Sequence, residues 1–379
     1  MKHYGDITKL NGVDLPVVDV ITGGSPCQDL SVAGARKGLS GERSGLFVEQ
    51  IRIVKEMREH DRRTTGRTGE FIRPRYMVWE NVPGAFSSNK GADFQAVLTQ
   101  IVKIVEPDCA DVPMPEKNKG PHSGCLYDEL GGWSVAWRLH DAQFWGVPQR
   151  RKRIAIVADF GGLTAPEILF ERKGLHRHFA PGAEEGEGSS GGAKAGTDTA
   201  ISFLERAGCD GGGKGILIQS EKTGALSTFD NQRVYCLQAI GQYKESQAAS
   251  ALKTRDYKDA TDLVGGNMVR RLTPLECERL QGFPDGWTDI GEWTDTNGKT
   301  HQTSDSARYK ALGNSIALPY WKVLARRICA QYDRDVTMGS LFDGIGGFPF
   351  AFEKAGATPV WASEIEQFCI AVTKRRFPE

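Results

Sequence analysis

A short apolar segment that runs directly into a tight, cysteine-bearing turn constrains the fold of this chain most. Residues 17–21 (VVDVI) form a near-continuous apolar run, which is typical of a strand buried in a parallel sheet. Gly23 and Gly24 allow a sharp turn, and Pro26 fixes φ just before Cys27. Such a turn can present a thiolate at a sheet edge, although a buried structural cysteine is the commoner fate of a lone Cys.

Two further segments carry charge at strand ends. Residues 76–82 (YMVWENV) predict a second apolar strand that ends in Glu80. Ligands of doubly wound sheets lie at the carboxyl ends of strands, so Cys27 and Glu80 are expected to face one crevice. The alternative for Glu80 is a solvated strand-end charge. The basic residues 150–153 precede an apolar strand at 154–158 and suit either edge solvation or contact with a phosphate backbone.

The C-terminal region combines a glycine-rich turn with an acidic strand end. The turn lies within residues 338–348, a helix is predicted at 350–355, and a strand at 360–364 ends in Glu364. Glu364 follows the glycines by about 20 residues, the spacing at which an acid binds ribose hydroxyls in Rossmann-like sites. The turn lacks the GxGxxG pattern and a P-loop lysine, which favours an adenosine-type ligand without a polyphosphate.

Eight short segments together resemble the DNA cytosine-5 methyltransferase family over most of the chain. They are FDGIGG at 342–347, Glu364, GDIT at 5–8, PCQ at 26–28, ENV at 80–82, QRRKR at 149–153, RLTPLEC to QGFP at 271–284, and GNS at 313–315. The resemblance implies an α/β fold, a doubly wound Rossmann-like sheet of the S-adenosylmethionine-dependent methyltransferases, with a second, smaller target recognition domain.

The resemblance also implies roles for individual residues. The catalytic residues would be Cys27, Glu80, Arg153 and Arg151. The cofactor would be S-adenosyl-L-methionine, held by Phe342, Asp343, Gly344, Ile345, Gly346, Gly347, Glu364, Ile365, Asp6, Ile7, Pro26, Leu46, Asn314 and Ser315. The substrate would be cytosine in double-stranded DNA, flipped out of the helix and attacked at carbon 6 by Cys27. No metal has a role in this scheme.

The order of the segments departs from the usual family arrangement. The cofactor loop commonly comes first and the catalytic cysteine follows, whereas here residues 340–379 come last. Joining Glu379 to Met1 would restore the usual order, so the chain looks circularly permuted. Surface termini that lie close together tolerate such a rearrangement, and we therefore expect the two ends to be neighbours.

The domains follow from this arrangement and from composition. We expect residues 1–160 and 271–379 to form the catalytic domain, with the cofactor loop at 340–347, and 161–270 to be the target recognition region. Residues 181–215 are rich in Gly, Ala, Glu and Ser, as in a linker. Residues 106–132 look like an inserted loop. Thr273, Pro274 and Glu276 predict the capped start of a helix.

Charge and cysteine content limit the kinds of binding protein that the chain can be and the kinds of metal site that it can hold. Equal numbers of basic and acidic residues, 48 of each, argue against a purely electrostatic DNA binder and are compatible with an enzyme that concentrates cations locally. The arginine-rich stretch 52–75 could be one such cluster or a solvated helix. None of the 8 cysteines forms a CxxC pair, so a structural zinc site is not expected. No signal peptide or apolar span is visible, so we expect a cytoplasmic protein that does not act at a membrane. The resemblance implies a bacterial or phage-encoded monomer that acts on DNA.

Two other functions remain open from the sequence. A methyltransferase of the same fold could act on tRNA, although the long segment before Arg270 leaves room for DNA recognition. A non-catalytic DNA-binding relative could keep the fold, although it would not need Cys27, Glu80 and Arg153 together. A cognate restriction endonuclease is a further partner that the resemblance allows.

Overall fold

The chain divides into two units, and the structure, a computed structural model, describes most of the first. It describes residues 1–25, 45–112, 122–170, 249–252 and 271–379, and the backbone of strand segments at 201–204, 217–220, 233–239, 242–246, 262–265 and 270. The first unit comprises Met1–His140, Lys152–Arg177 and Tyr320–Glu379, and the second Asp141–Arg151 and His178–Pro319. Cys27 and Pro26, like residues 181–200, lie outside the described residues.

A mixed sheet forms the centre of the first unit. Its strands are β1 (Lys2–Tyr4), β2 (Val20–Gly23), β3 (Tyr76–Asn81), β4 (Ser123–Tyr127), β5 (Ser134–Asp141), β6 (Lys152–Asp159), β15 (Thr337–Leu341) and β16 (Thr358–Ser363). Within the described residues the order is β1-β16-β15-β2-β3-β6-β5-β4. The first five strands in this order are parallel, and β6 is antiparallel to β3. The predicted α/β fold is therefore confirmed.

Helices of the first unit cover this sheet. They are α1 (Gly45–Thr65), α2 (Ala92–Val102), α3 (Ala165–Leu169), most of α6 (Leu318–Cys329), α7 (Gly347–Glu353) and α8 (Gln367–Arg376). On one face, the ring of Phe47 from α1 packs on Trp79 of β3 with centroids 5.4 Å apart. On the other face, Tyr76 of β3 contacts Tyr332, which follows α6, at 5.9 Å. Helices on both faces explain why β2 and β3 are apolar at successive positions.

In the residues that the structure describes, the second unit contains smaller sheets and two short helices. Strands β7 (Ile201–Leu204) and β8 (Leu217–Ser220) pair, as do β13 (Glu292–Thr294) and β14 (Thr300–Gln302). A third sheet has the order β10-β9-β11-β12, from β9 (Arg233–Ala239), β10 (Gln242–Ser246), β11 (Asp262–Gly265) and β12 (Arg270–Arg271). The helices are α4 (Pro274–Leu280) and α5 (Asp305–Asn314). This unit includes residues 271–319, which the sequence prediction placed with the catalytic domain.

The sequence predictions of single elements differ from the structure in identifiable ways. The predicted loop 106–132 contains β4, an edge strand hidden from sequence analysis by Gly124. A Cβ at Gly124 would lie 2.3 Å from Trp137, so glycine is needed for that ring to cover the strand. The helix predicted at 350–355 begins earlier, at Gly347, because Gly346 adopts a left-handed N-cap with φ 80°. The capping box of Thr273 and Glu276 is confirmed.

The ends of the described chain lie side by side, as the segment order predicted. The amino group of Met1 donates hydrogen bonds to the carbonyls of Phe377 at 3.3 Å and Pro378 at 3.2 Å. The imidazole of His3 is hydrogen-bonded to Thr373 of α8 at 2.7 Å. In the part of the chain that the structure describes, no helix is long and apolar enough to cross a membrane.

Candidate active site

The carboxyl ends of β1, β16 and β15 bring together segments from opposite ends of the sequence. The amide of Asp343 donates to the carbonyl of Ser363 at 3.1 Å, and the amide of Glu364 donates to Tyr4 at 3.3 Å. The hydroxyl of Ser363 donates to the carbonyl of Gly5 at 2.7 Å. The glycine-rich turn, the acidic strand end and the GDIT segment therefore meet at one edge of the sheet, where α/β proteins bind ligands.

Glu364 is held against the glycine-rich turn by backbone donors. Its carboxylate accepts hydrogen bonds from the amides of Gly344 at 2.6 Å, Ile365 at 2.8 Å and Glu366 at 2.9 Å. A carboxylate offers about four acceptor positions, so Glu364 keeps acceptor capacity for a ligand hydroxyl. The neighbouring Ile365 side chain is 64% exposed and offers an apolar surface beside that carboxylate.

The turn at residues 342–347 has the backbone geometry of a ligand-binding loop. Phe342 has a φ of 54°, which is unusual for a bulky residue and is typical of strained functional segments. Gly344 has a φ of 57°, and the position of a Cβ there has no atom within 4 Å. A Cβ at Gly346 would lie 2.7 Å from Phe377. Gly346 is therefore required for packing, whereas Gly344 leaves open space over which a ligand can approach.

Asp343 is a buried acid at the centre of this turn. It is 5% exposed, and neither carboxyl oxygen has a hydrogen-bond partner among the described residues. Burial raises the pKa of Asp343 to about 8, Ser340 opposes this shift and the charge of Glu364 adds to it. The hydroxyl of Ser340 lies close enough to lower this pKa, but it makes no hydrogen bond of normal geometry with the carboxyl. A buried carboxyl without a partner fits a ligand that carries positive charge.

The other residues expected at the cofactor site differ in exposure. Asp6 caps a short 3₁₀ turn by accepting from the amide and hydroxyl of Thr8, at 3.0 and 2.8 Å, and these hydrogen bonds lower its pKa. Ile7 is 3% exposed and belongs to the core, with Leu46 of α1 packed against the same core. Asp6 thus borders the sheet edge, whereas Ile7 contributes mainly to packing.

Glu80 and Arg153 form an ion pair on neighbouring antiparallel strands. Nε of Arg153 lies 2.7 Å from Oε1 of Glu80, and both side chains are largely buried. The other oxygen of Glu80 borders the turn after β2, because a Cβ at Gly24 would lie 2.9 Å from Oε2. The structure therefore places a cation-held carboxylate beside the turn that leads to Cys27.

Two side chains of β3 hold the last described residue of that turn. The indole of Trp79 donates to the hydroxyl of Ser25 at 3.0 Å, and the amide nitrogen of Asn81 donates to the carbonyl of Ser25 at 3.4 Å. Ser25 precedes Cys27 by two residues. Sequence analysis assigned no role to Trp79 or to the amide of Asn81, because hydrogen bonds between distant strands leave no periodic signal.

Arg151 lies in the second unit and is used internally there. It is 1% exposed, and its guanidinium donates to the carbonyls of Leu252 at 3.2 Å, Gly313 at 3.0 Å and Ser315. The GNS segment that it binds ends α5, with Asn314 exposed and Ser315 buried. These contacts fit a positioning role for Arg151, in contrast to Arg153.

Most arginines of the stretch 52–75 contact acidic side chains or backbone carbonyls. Arg52 pairs with Glu49 and Glu56 of α1. Arg58 is buried and donates to backbone carbonyls, among them that of Pro74 at 2.6 Å. Arg62, Arg67, Arg73 and Arg75 also lie near acidic side chains. Among the described residues, no group of His, Cys, Asp and Glu could hold a metal ion.

Comparison with known proteins identifies the family. The family described as C-5 cytosine-specific DNA methylase matches residues 1–104, 126–330 and 336–379. The chain belongs to this family. The matched segments contain the glycine-rich turn, the Glu80 strand and the Arg153 cluster, and they also contain the motif residues that the structure does not describe.

Individual relatives are more distant. The chain is 28% identical over 435 residues to a protein of Escherichia phage P1 named DNA N-6-adenine-methyltransferase, which covers 86% of this chain and 55% of that protein. It is 25% identical to the Type II methyltransferase M.SsoII of Shigella sonnei, over 87% of this chain and 68% of the relative. The chain thus spans about half to two-thirds of the length of these relatives. The Dnmt2 methyltransferase of S. pombe aligns over 86% of the chain with a TM-score of 0.43 and 15% identity.

Proposed function

We propose that this chain transfers a methyl group from S-adenosylmethionine to carbon 5 of cytosine in double-stranded DNA. The observation that carries the proposal is the Glu80–Arg153 pair, with Nε and Oε1 2.7 Å apart, beside the turn that leads to Cys27. Family membership supports DNA methylation. Two relatives are named Type II methyltransferases, and we propose in addition that this chain acts as a monomer alongside a cognate restriction endonuclease.

Cys27 would act as the nucleophile. Carbon 5 of cytosine is a weak nucleophile, and addition of a thiolate to carbon 6 converts the ring into an enamine that can attack through carbon 5. The bond from Cys27 to carbon 6 forms first, and it breaks by elimination after the carbon-5 proton leaves. Because this attack needs access to the face of the ring, the base must leave the stacked duplex, at a cost of a few kcal/mol.

Glu80 would share a proton with nitrogen 3 of the base during the attack. Arg153 holds one Glu80 oxygen at 2.7 Å, which leaves the other oxygen, Oε2, directed toward the turn at Gly24. Arg153 would thus fix the orientation of the acid. Arg151 would act indirectly, since its contacts hold the backbone of residues 313–315.

The residues at the end of β15 and β16 fit S-adenosylmethionine, which when bound supplies an electrophilic methyl group. Glu364 has acceptor capacity for ribose hydroxyls, Gly344 leaves room for the ligand, and the Asp343 carboxyl has no partner among the described residues. Asp6 would border the adenine side. We propose that residues 161–270 select the DNA sequence, so exchanging this region with that of a relative should change the methylated site.

Methylation of adenine at N6 is a second candidate, because one relative carries that name. That relative is much longer than the matched region, and N6 transfer requires no thiol nucleophile. The presence of Cys27 after Pro26, with Glu80 and Arg153 held together, favours cytosine. The tRNA and non-catalytic alternatives are separated by the same experiment.

The test is methyl transfer by the purified chain, followed by mass spectrometry of the nucleosides. Duplex DNA and tRNA are offered separately with S-adenosylmethionine, and we expect 5-methylcytosine in the DNA. Cys27→Ala should lower this product by about 10³-fold or more, as nucleophile removal does, while cofactor binding is retained. Cys125→Ala, at an exposed cysteine of β4, is the matched control. N6-methyladenine, product in tRNA alone, or full activity of Cys27→Ala would each contradict the proposal.

A further inference from the structure

The buried carboxyl of Asp343 has an environment that the fold alone does not explain. Neither oxygen is hydrogen-bonded among the described residues, although the side chain is 5% exposed. Buried polar groups in native proteins are nearly always paired, and each exception asks for an explanation. Glu364 nearby is engaged by the amides of Gly344, Ile365 and Glu366. Among the described residues, one of two adjacent acids is therefore hydrogen-bonded and the other is not.

Two more buried polar groups without hydrogen-bond partners among the described residues lie on strands next to the turn that carries Asp343: Ser340, which acts on the Asp343 carboxyl, and Thr22, on the strand paired with that of Ser340. Ser340 of β15 and Thr22 of β2 are register partners, so their side chains point to the same face of the sheet. Both are fully buried, and neither hydroxyl has a hydrogen-bond partner among the described residues. A buried carboxyl and two buried hydroxyls that lack hydrogen-bond partners among the described residues, together with open space at Gly344, indicate an incomplete polar site.

We propose that Asp343 is the counter-ion for the positively charged methionyl half of S-adenosylmethionine, and that it holds a proton until this charge arrives. The inference rests on the proposed function, since it concerns the same cofactor site. In the free protein a neutral carboxyl avoids the cost of an isolated buried charge. When a cationic ligand binds, the carboxyl loses its proton to solvent and pairs with the ligand, so binding releases a proton.

The charges around Asp343 are consistent with this exchange. Among the described residues, the charge that acts on Asp343 is Glu364 at the end of β16, and it disfavours a second anion. Strands β15 and β2 present the hydroxyls of Ser340 and Thr22, and the first turn of α7 (GFPF) has no titratable side chain. None of these described groups supplies a cation, so the proposed pairing charge is that of the ligand.

The sign of the pH dependence follows from linkage. The pKa of Asp343 in the free protein is raised to about 8, and pairing with a cation lowers it in the complex. Below pH 8 the free protein holds the proton that the complex releases, so affinity should rise with pH by up to about tenfold per unit and level off above pH 8. At pH 7 binding should release about 0.9 proton per site.

The experiment is titration calorimetry of the full chain with S-adenosylmethionine at pH 6, 7, 8 and 9, in pairs of buffers that differ in ionisation enthalpy. 5′-Methylthioadenosine, which has the same adenosine part but lacks the methionyl charges, should bind without proton release. Asp343→Asn should abolish both the proton release and the pH slope. Asp335→Asn, at an exposed position before β15, should keep both.

The possible outcomes distinguish a failure of the counter-ion role from a failure of the proposed function. Binding of S-adenosylmethionine to the unaltered chain without proton release overturns the counter-ion role, whether or not Asp343→Asn folds. Equal proton release with 5′-methylthioadenosine, or a pH slope that persists in Asp343→Asn, overturns it as well. Absence of S-adenosylmethionine binding at every pH contradicts the proposed function, and the inference falls with it.

Discussion

The acids Glu80 and Asp343 are both largely buried, but their carboxyl groups have opposite surroundings. Glu80 is paired with Arg153, and the adjoining turn is anchored at Ser25 by Trp79 and Asn81. Asp343 is more deeply buried and has no partner among the described residues. An acid that already has its cation is preorganised for chemistry, because no reorganisation is needed when charge develops on the substrate. An acid without a partner gains its counter-charge only when a ligand binds.

The largest effect should come from changing the paired acid. Glu80→Gln keeps the size of the side chain but removes its charge and its capacity to share a proton. We expect kcat to fall by about 10²- to 10⁴-fold, the usual contribution of a general acid or base, with the Kd for S-adenosylmethionine unchanged. Single-turnover methylation and calorimetry measure the two quantities.

The matched control for this change is Glu106→Gln at an exposed position after α2. It should leave both kcat and Kd as they are. If Glu80→Gln weakens cofactor binding and leaves the rate of methyl transfer intact, the assignment of Glu80 to methyl transfer and of Asp343 to cofactor binding is wrong.

A smaller effect is expected from changing Glu364 at the cofactor site, and it should fall on the Kd for S-adenosylmethionine and not on kcat. Glu364→Ala removes the acceptor of the Gly344 amide and the proposed ribose contact. A hydrogen bond to a charged group contributes about 1.5–3 kcal/mol, so the Kd for S-adenosylmethionine should rise by about 10- to 100-fold. At saturating cofactor, kcat should remain close to that of the unaltered chain.

Glu364→Gln sharpens this test, because it retains an acceptor oxygen without the charge. We expect an intermediate Kd for this variant. Equal Kd values for the unaltered chain, Glu364→Gln and Glu364→Ala would show that the end of β16 does not bind the cofactor.

Sequence analysis located the strand ends of the site but not the pairing of their side chains. Cys27 and Glu80 were predicted to face one crevice because apolar runs reveal strands and parallel strands share an edge, and Cys27 lies outside the described residues. The place of Arg153 beside Glu80 was implied by the family resemblance alone, since the sequence does not reveal that β6 runs antiparallel to β3. That the Asp343 carboxyl has no hydrogen-bond partner among the described residues could not be predicted, since it depends on which groups from β2, β15 and β16 surround it. The pairing of Arg75 with Asp159 at 2.9 Å was missed for the same reason, as Arg75 precedes β3 and Asp159 ends β6, far along the chain.

The smallest effect should come from joining the present chain ends and opening the chain elsewhere. The present ends lie beside the strands that form the cofactor site. The amino group of Met1 already contacts the carbonyls of Phe377 and Pro378, so a short Gly/Ser linker from Glu379 to Met1 would connect neighbours. New ends between Asp335 and Ser340 would disturb β15, because Thr337 starts this strand and its amide and hydroxyl bind Asp19, both at 2.9 Å.

A cut between Asp333 and Arg334 falls in an exposed turn and keeps the pair of Arg334 and Asp19, at 2.6 Å, with the strand that it supports. Tethered ends cannot fray, and ordering frayed ends on binding costs entropy. We therefore expect the relinked chain to methylate DNA and to bind S-adenosylmethionine with equal or slightly tighter affinity, by less than about threefold, or about 0.6 kcal/mol. Calorimetry beside the unaltered chain measures this difference. A folded but inactive relinked protein would show that the site needs its ends free, and the adjacency of β1 and β16 would then not be sufficient for cofactor binding.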